Sequence, residues 1–177
     1  MYALARKQPK GAKYPDMACC LMAYLAYEAY LNLLLDRLDP ETWSNERRFF
    51  SQGEFRGTEG KVRWIAKLCG DFEINKGTCP YQTIQNLSGL RDRMVHAKPV
   101  TYSETTVHHE DTEPDWWPHA AYPEIDPDYA HRALEDVEAF MEYVHDKVKD
   151  RLKDPMLKAG ALKGPAAYAT TSSKPAT

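Results

Sequence analysis

The chain is short of several things that would place it at once. It has four cysteines, Cys19, Cys20, Cys69 and Cys79, and no CxxC pair among them. A disulfide frame or a structural zinc site needs paired thiols, so the spacing reads as reduced, buried thiols in a cytoplasmic protein. Positive charge is not in excess: 23 Lys and Arg face 26 Asp and Glu, for a net charge of -3. There is then no global attraction for nucleic acid, and any such partner needs a local basic surface. A clean membrane-spanning run of about 20 apolar residues is also missing. Arg6, Lys7, Lys10 and Lys13 precede an apolar stretch, as in a secretory signal, but Pro15 and Asp16 stand where its apolar part should begin. Glu28, Asn32 and Asp36 then interrupt it at helical spacing, and no small-residue cleavage site follows. The stretch reads as a soluble helix with no membrane partner. Neither an internal repeat nor a credible strand pair is visible.

What is present is helical periodicity in a chain of 177 residues, enough for one domain with a proper core and short for two. Pro15 and Asp16 open a helix that reaches Leu38, where Asp39 and Pro40 stop it, with Asp16 suited to cap the first turn. Residues 41–60, with Gly53, Gly57 and Gly60, read as short turns or loop. A second helix is predicted from Lys61 to Cys69, with Val62, Ile65, Ala66 and Cys69 on one side and Gly70 as its cap. A third starts near Pro80 and turns Ile84, Leu87, Leu90 and Met94 inward before Pro99 ends it. A fourth, from Asp128 to about Leu152, repeats Ala133, Val137, Phe140, Met141, Val144 and Val148 at three- and four-residue steps. The expected fold is all-α: a four-helix up-and-down bundle over residues 14–153, behind a flexible arm at 1–13 and ahead of a disordered tail at 154–177.

The first helix contains a conflict. Met17, Leu21, Tyr24, Glu28, Leu31, Leu35 and Leu38 form one seam, and a carboxylate in a core seam is costly unless paired. Either the inward face is rotated so that Glu28 lies at its edge, or Glu28 and Asn32 face a buried polar partner. For the second case Arg91 or Arg93 of the third helix is the natural candidate. Arg91 and His96 stand five apart, hence about 140° apart on an ideal helix, too far to act side by side. A helix end at His96, or a matching pair from a second copy across a two-fold axis, removes the difficulty. Arginine and histidine without a carboxylate cluster suit metal-free phosphate chemistry, the guanidinium holding phosphate and the imidazole moving a proton. Equally, both residue types are common at helix C-termini, where positive charge complements the dipole.

The string NLSGLRDRMVHAKP resembles the signature of the HEPN superfamily: Arg, a polar residue (here Asp92), three variable residues, then His. The first helix, ACCLMAYLAYEAYLNLLLDRL, is similar to that family's opening helix, whose alanine-rich seam leads into a Glu-Ala-aromatic-x-Asn run matched by YEAYLN, residues 27–32. PYQTIQNLSGL resembles the approach to the motif. The similarity spans roughly Asp16 to Pro99, with the fourth helix alike in pattern only. The resemblance implies a symmetric dimer through the motif-bearing face and, in many members, metal-independent RNA cleavage in toxin–antitoxin or phage-defence settings. It gives His96 a part in attack by the RNA 2′-hydroxyl or in protonation of the leaving oxygen, and Arg91 the stabilisation of phosphoryl charge. Asp92 orients the pair, with Glu28, Asn32 and Arg93 in supporting roles. No cofactor is implied. Other branches are binding or assembly modules without cleavage, partnered by an antitoxin or a nucleotidyltransferase, and nucleotide binding in the dimer cleft is a further alternative.

From Arg47 to Lys67 six cationic residues face two carboxylates, and Arg63, Lys67 and Lys98 are the expected RNA contacts beside the motif. An ordinary solvated face with ion pairs accounts for them equally. From Thr101 to Asp128 there are eight acidic residues and no Lys or Arg, a segment that repels RNA unless it shields the site or docks on the basic stretch. His108, His109, Glu110, Asp111 and His119 are metal-ligating types without helical spacing to preorganise them, so no metal site is expected. Trp116 and Trp117, between Pro114 and Pro118, read as pins for this loop or, if exposed, as a partner-binding spot.

Overall fold

The computed structural model describes residues 13–96 and 125–152. The expectations for the arm, for most of the acidic segment with its histidines and tryptophans, for Lys98 and for the tail therefore lie outside the described residues. Six helices and no strand occur among those described: α1 (Lys13–Leu38), α2 (Pro40–Ser44), α3 (Glu46–Phe49), α4 (Gly57–Leu68), α5 (Tyr81–Val95) and α6 (Pro127–Val148). The all-α class holds. Where turns or loop were expected after Asp39, the chain makes the two short helices α2 and α3.

Helix α1 is central and packs against α4, α5 and α6. Its contacts fix the directions of the others. Glu28 meets Thr58, Asn32 meets Lys61 and Asp39 meets Trp64, so α4 ascends beside α1. Tyr27 packs on Phe140 and Tyr30 bonds His145, so α6 ascends as well. Thr83 donates to Asp136 while Tyr81 meets Phe140, so α5 alone descends. The strict up-and-down alternation expected from the sequence is therefore corrected. The reason is the connection of residues 39–56, which carries the chain back along α1 before α4 begins. It is held by Phe49, Phe55 and Trp64, whose ring centroids lie 4.8–5.9 Å apart.

The inward face of α1 is wider than the expected seam and rotated from it. Cys20, Ala23, Tyr27, Tyr30 and Leu34 are buried with Met17, Tyr24, Leu31 and Leu35, whereas Leu21, Glu28 and Leu38 are only partly covered. Opposite that face, Met22, Leu25, Ala26 and Ala29 are exposed and Ala18 and Leu33 half-buried, so α1 is apolar all round. Pro15–Leu38 is accordingly long and apolar enough to cross a bilayer, with half of its most apolar window buried against the other helices. A core helix and an N-terminal signal both satisfy that criterion. Asp16 is fully buried, and among the described residues neither of its carboxylate oxygens has a hydrogen-bond partner, so it does not serve as the expected cap.

The other helix ends follow local chemistry. Asp39 stops α1, and its carboxylate accepts from Thr42 N at 3.1 Å to cap α2. Gly70, at φ +95°, follows α4, and Asp71 N reaches back to Ala66 O at 2.8 Å, the hydrogen bond of a glycine-terminated helix. Helix α4 begins a turn earlier than its glycines suggested. Gly60 is required there because a Cβ would overlap the backbone of Phe55. On α6 every inward residue expected from periodicity is buried. The thiols differ from expectation in one case: Cys19 and Cys20 are buried and Cys69 half-buried, but Cys79 is exposed, in the connection before α5.

Candidate functional site

Helix α5 sets the motif out. Tyr81, Ile84, Leu87 and Leu90 face the core, which leaves Arg91, Asp92 and Arg93 on the outer arc of the last turns. The helix ends at Val95. His96 is its C-cap, with backbone N–H donated to Asp92 O at 2.9 Å, and its side chain is exposed. Because that bond is still the i→i−4 bond of the helix, His96 continues the helical path of α5, and the helix ends directly after it. His96 makes no side-chain hydrogen bond or ion pair among the described residues. Arg91 donates from Nη1 to Asp92 Oδ1 at 2.8 Å, and its side chain is 35% exposed. That hydrogen bond raises the guanidinium's pKa, and the nearby Glu28 carboxylate adds to the effect. Arg91 is therefore a fixed cation, oriented by Asp92 and turned toward α1.

Glu28 and Asn32 do not take an arginine partner. Glu28 Oε1 accepts from Thr58 Oγ1 at 2.7 Å, and Asn32 Oδ1 accepts from Lys61 Nζ at 2.7 Å. Lys61 also pairs with Glu46 at 2.6 Å and sits 5.7 Å from the centroids of both Trp43 and Phe50. These two residues of α1 thus fasten α4 and the return segment. Glu28 lies at the edge of the core, which is the first of the two readings its position allowed. Beside Glu28 a hollow of about 350 Å³ opens between α1, α5 and the start of α4, lined by Tyr24, Arg56, Thr58, Gln85 and Ser88 among others. Tyr24 donates to Ser88 Oγ at 3.1 Å across it, under burial that raises the phenol's pKa. Tyr24, Thr58 and Ser88 were not anticipated; nothing in their spacing marks them, because they meet only through tertiary packing.

The expected RNA contacts on α4 do not gather at the motif. Arg63 is bound to Glu59 at 2.5 Å, and Lys76 holds the same carboxylate. The hydrogen bond from Lys76, with that from Arg63, keeps the Glu59 pKa below the usual carboxylate range despite partial burial. Lys67 Nζ sits over Phe55 at 5.5 Å and Trp64 at 5.8 Å. Arg63 and Lys67 line a hollow of about 270 Å³ with Lys76 and Phe72, and Arg91 is not part of it. Arg93 is also separate from Arg91, on the side of α5 that faces α6. Among the described residues no three His, Cys, Asp or Glu side chains converge as a metal site would require. No protein-family model, curated protein or solved structure matches this chain.

Proposed function

We propose that the chain is a HEPN-like, cytoplasmic homodimer whose motif face binds and cleaves RNA without a metal, in a toxin–antitoxin or phage-defence setting. One observation supports this above the rest: α5 ends at Val95, so both Arg91 and His96 are reachable from solvent at a helix end, with Arg91 oriented by Asp92. In this reading Arg91 neutralises phosphoryl charge, as a guanidinium at a developing oxyanion does. His96 exchanges the proton of the 2′-hydroxyl or of the leaving oxygen. Two copies related by a two-fold axis supply two such pairs to one cleft.

The test is incubation of the full chain with single-stranded RNA in EDTA, beside Arg91→Ala and His96→Ala forms. Cleavage that survives chelation and disappears in both variants is the expected result. Equal RNA decay in all three samples refutes it. A second reading, a non-catalytic helical module that docks a partner such as an antitoxin, is favoured by the outer face of α1, where Met22 and Leu25 are 58% and 40% exposed. Sedimentation of the wild type beside Met22→Glu separates the two. Loss of self-association or partner capture without any effect on RNA favours the module.

A further inference from the structure

The two arginines of the motif helix serve different flanks. Arg91 and Arg93 are two residues apart and so about 200° apart around α5. Arg91 turns toward α1. Arg93 lines a groove of about 530 Å³ between α5 and α6, with Gln85, Asn86, Gly89, Tyr129 and Arg132.

Several polar groups of the groove have no partner among the described residues. The side chains of Gln85, Asn86 and Arg93 make no hydrogen bond or ion pair among the described residues. Arg132 reaches Asp126 at 3.8 Å, a long contact, while Asp126 Oδ1 accepts from Asp128 N at 3.1 Å. Two guanidinium groups thus line the groove with the Asp126 carboxylate, which is engaged as a helix cap, while Asp136 stands close enough to Tyr129 to add to the burial that raises its phenol's pKa. Tyr129 forms a half-buried wall close enough to Arg93 for the guanidinium to counter the burial that raises the phenol's pKa. At Gly89 a Cβ would meet nothing within 4 Å, so the floor of the groove is open backbone.

These groups define a ligand. Guanidinium forks match the oxygens of a phosphoryl group, and two of them select an anion. The carboxamides each donate and accept, so they suit the heteroatoms of an organic body and add little for a bare ion. The volume lies within the range of small-molecule sites. We propose that the α5–α6 groove binds a phosphate ester, with Arg93 and Arg132 on the phosphoryl group and Gln85 and Asn86 on the organic moiety it carries. The assignment goes beyond the motif reading and does not depend on any cleavage at Arg91 and His96. The ester is either a free sugar or nucleoside phosphate, or the terminal phosphate of an RNA strand.

Calorimetric titration of the full chain distinguishes these sources. The probes are inorganic phosphate, ribose 5-phosphate, a nucleoside 5′-monophosphate, and one short oligoribonucleotide with and without a 5′-phosphate. Esters are expected to bind roughly tenfold more tightly than inorganic phosphate, with Arg93→Ala and Arg132→Ala each removing about that factor. Asn86→Ala should narrow the gap between esters and phosphate. Arg37→Ala, at the far end of α1, is the charge control. Preference for the 5′-phosphorylated strand over the small esters assigns the ligand to RNA, and the reverse assigns it to a free metabolite. Unchanged affinity in an Arg93→Ala/Arg132→Ala double variant refutes the proposal, as does equal weakening by Arg37→Ala. If cleavage is absent from every form while the groove variants still weaken ester binding, the RNase reading falls and the groove stands.

Discussion

Replacing Asp39 by alanine tests how one carboxylate holds three elements together. Asp39 ends α1, its Oδ1 caps α2 through Thr42 N at 3.1 Å, and its Oδ2 accepts from Trp64 Nε1 of α4 at 3.0 Å. Loss of an N-cap costs about 1 kcal/mol. Leaving the part-buried indole N–H without a partner adds about 1–2 kcal/mol. Asp39→Ala should therefore lower stability by about 2–3 kcal/mol, a substantial part of the roughly 5–15 kcal/mol of a typical domain. Urea unfolding followed by tryptophan fluorescence measures the loss. Asp39→Asn keeps one acceptor, enough for the cap on Thr42 N, but sets an amide donor against the Trp64 N–H, so it should cost about 1–2 kcal/mol, less than alanine by roughly the cap. In a double-mutant cycle, Trp64→Phe should erase the indole part of the penalty. Against the burial that raises it, the hydrogen bonds from Thr42 and Trp64 hold the Asp39 carboxyl below the usual range. The stabilisation is thus full above the unfolded value of about 4 and fades as pH falls through the lower folded value. Equal losses for Ala and Asn, or a difference between wild type and Asp39→Asn that does not shrink in acid, would refute this account.

Gly60→Ala should abolish cooperative unfolding or cost about 3 kcal/mol or more, since the new Cβ meets the Phe55 backbone and not a movable side chain; far-ultraviolet circular dichroism on heating checks it. For Asp16, burial and then Asp126 raise the carboxyl pKa. Its charged form therefore opposes folding, and stability should decline as pH rises from about 4 toward the higher folded value. Asp16→Asn should raise the thermal midpoint at pH 7 and lose that advantage below about pH 4, as scanning calorimetry across pH reports. Thiol labelling of the native chain should show one fast cysteine, the exposed Cys79, because burial pushes the Cys20 thiol up to about 12 and raises those of Cys19 and Cys69; Cys79→Ser should remove the fast phase.

The parts of the fold that could be read from the sequence are those fixed by short-range chemistry. Asp39 and Pro40 stop α1, Gly70 ends α4, and the three- and four-residue steps of α6 name its buried side without error. The parts that could not be read depend on distant contacts. Because α1 is apolar all round, periodicity alone does not orient it, and so the place of Glu28 stayed open. Its partner Thr58 and that of Asn32, Lys61, arrive only because residues 39–56 return along α1. The three glycines between 53 and 60 suggested a loop, yet Gly60 lies within a helix, where the close approach of Phe55 demands it. For the candidate site, the spacing of Arg91 and His96 raised the question of a helix end or a second copy, and α5 ends at Val95. That spacing did not show that Arg93 belongs to a different flank, because that depends on where α6 packs.

The all-round apolarity of α1 also bears on how the chain is made. During synthesis this helix leaves the ribosome before the helices that cover it, for α6 begins at Pro127, about 90 residues after α1 ends. At roughly 5–20 residues per second the delay lasts on the order of 5–18 s. Throughout that interval a helix that meets the composition of a membrane span has no α6 to cover it, and for about the first half no α5 either. The nascent chain thus presents to chaperones and to the targeting machinery a surface that the finished protein half conceals, and chains truncated before α6 should partition into aggregates or membranes.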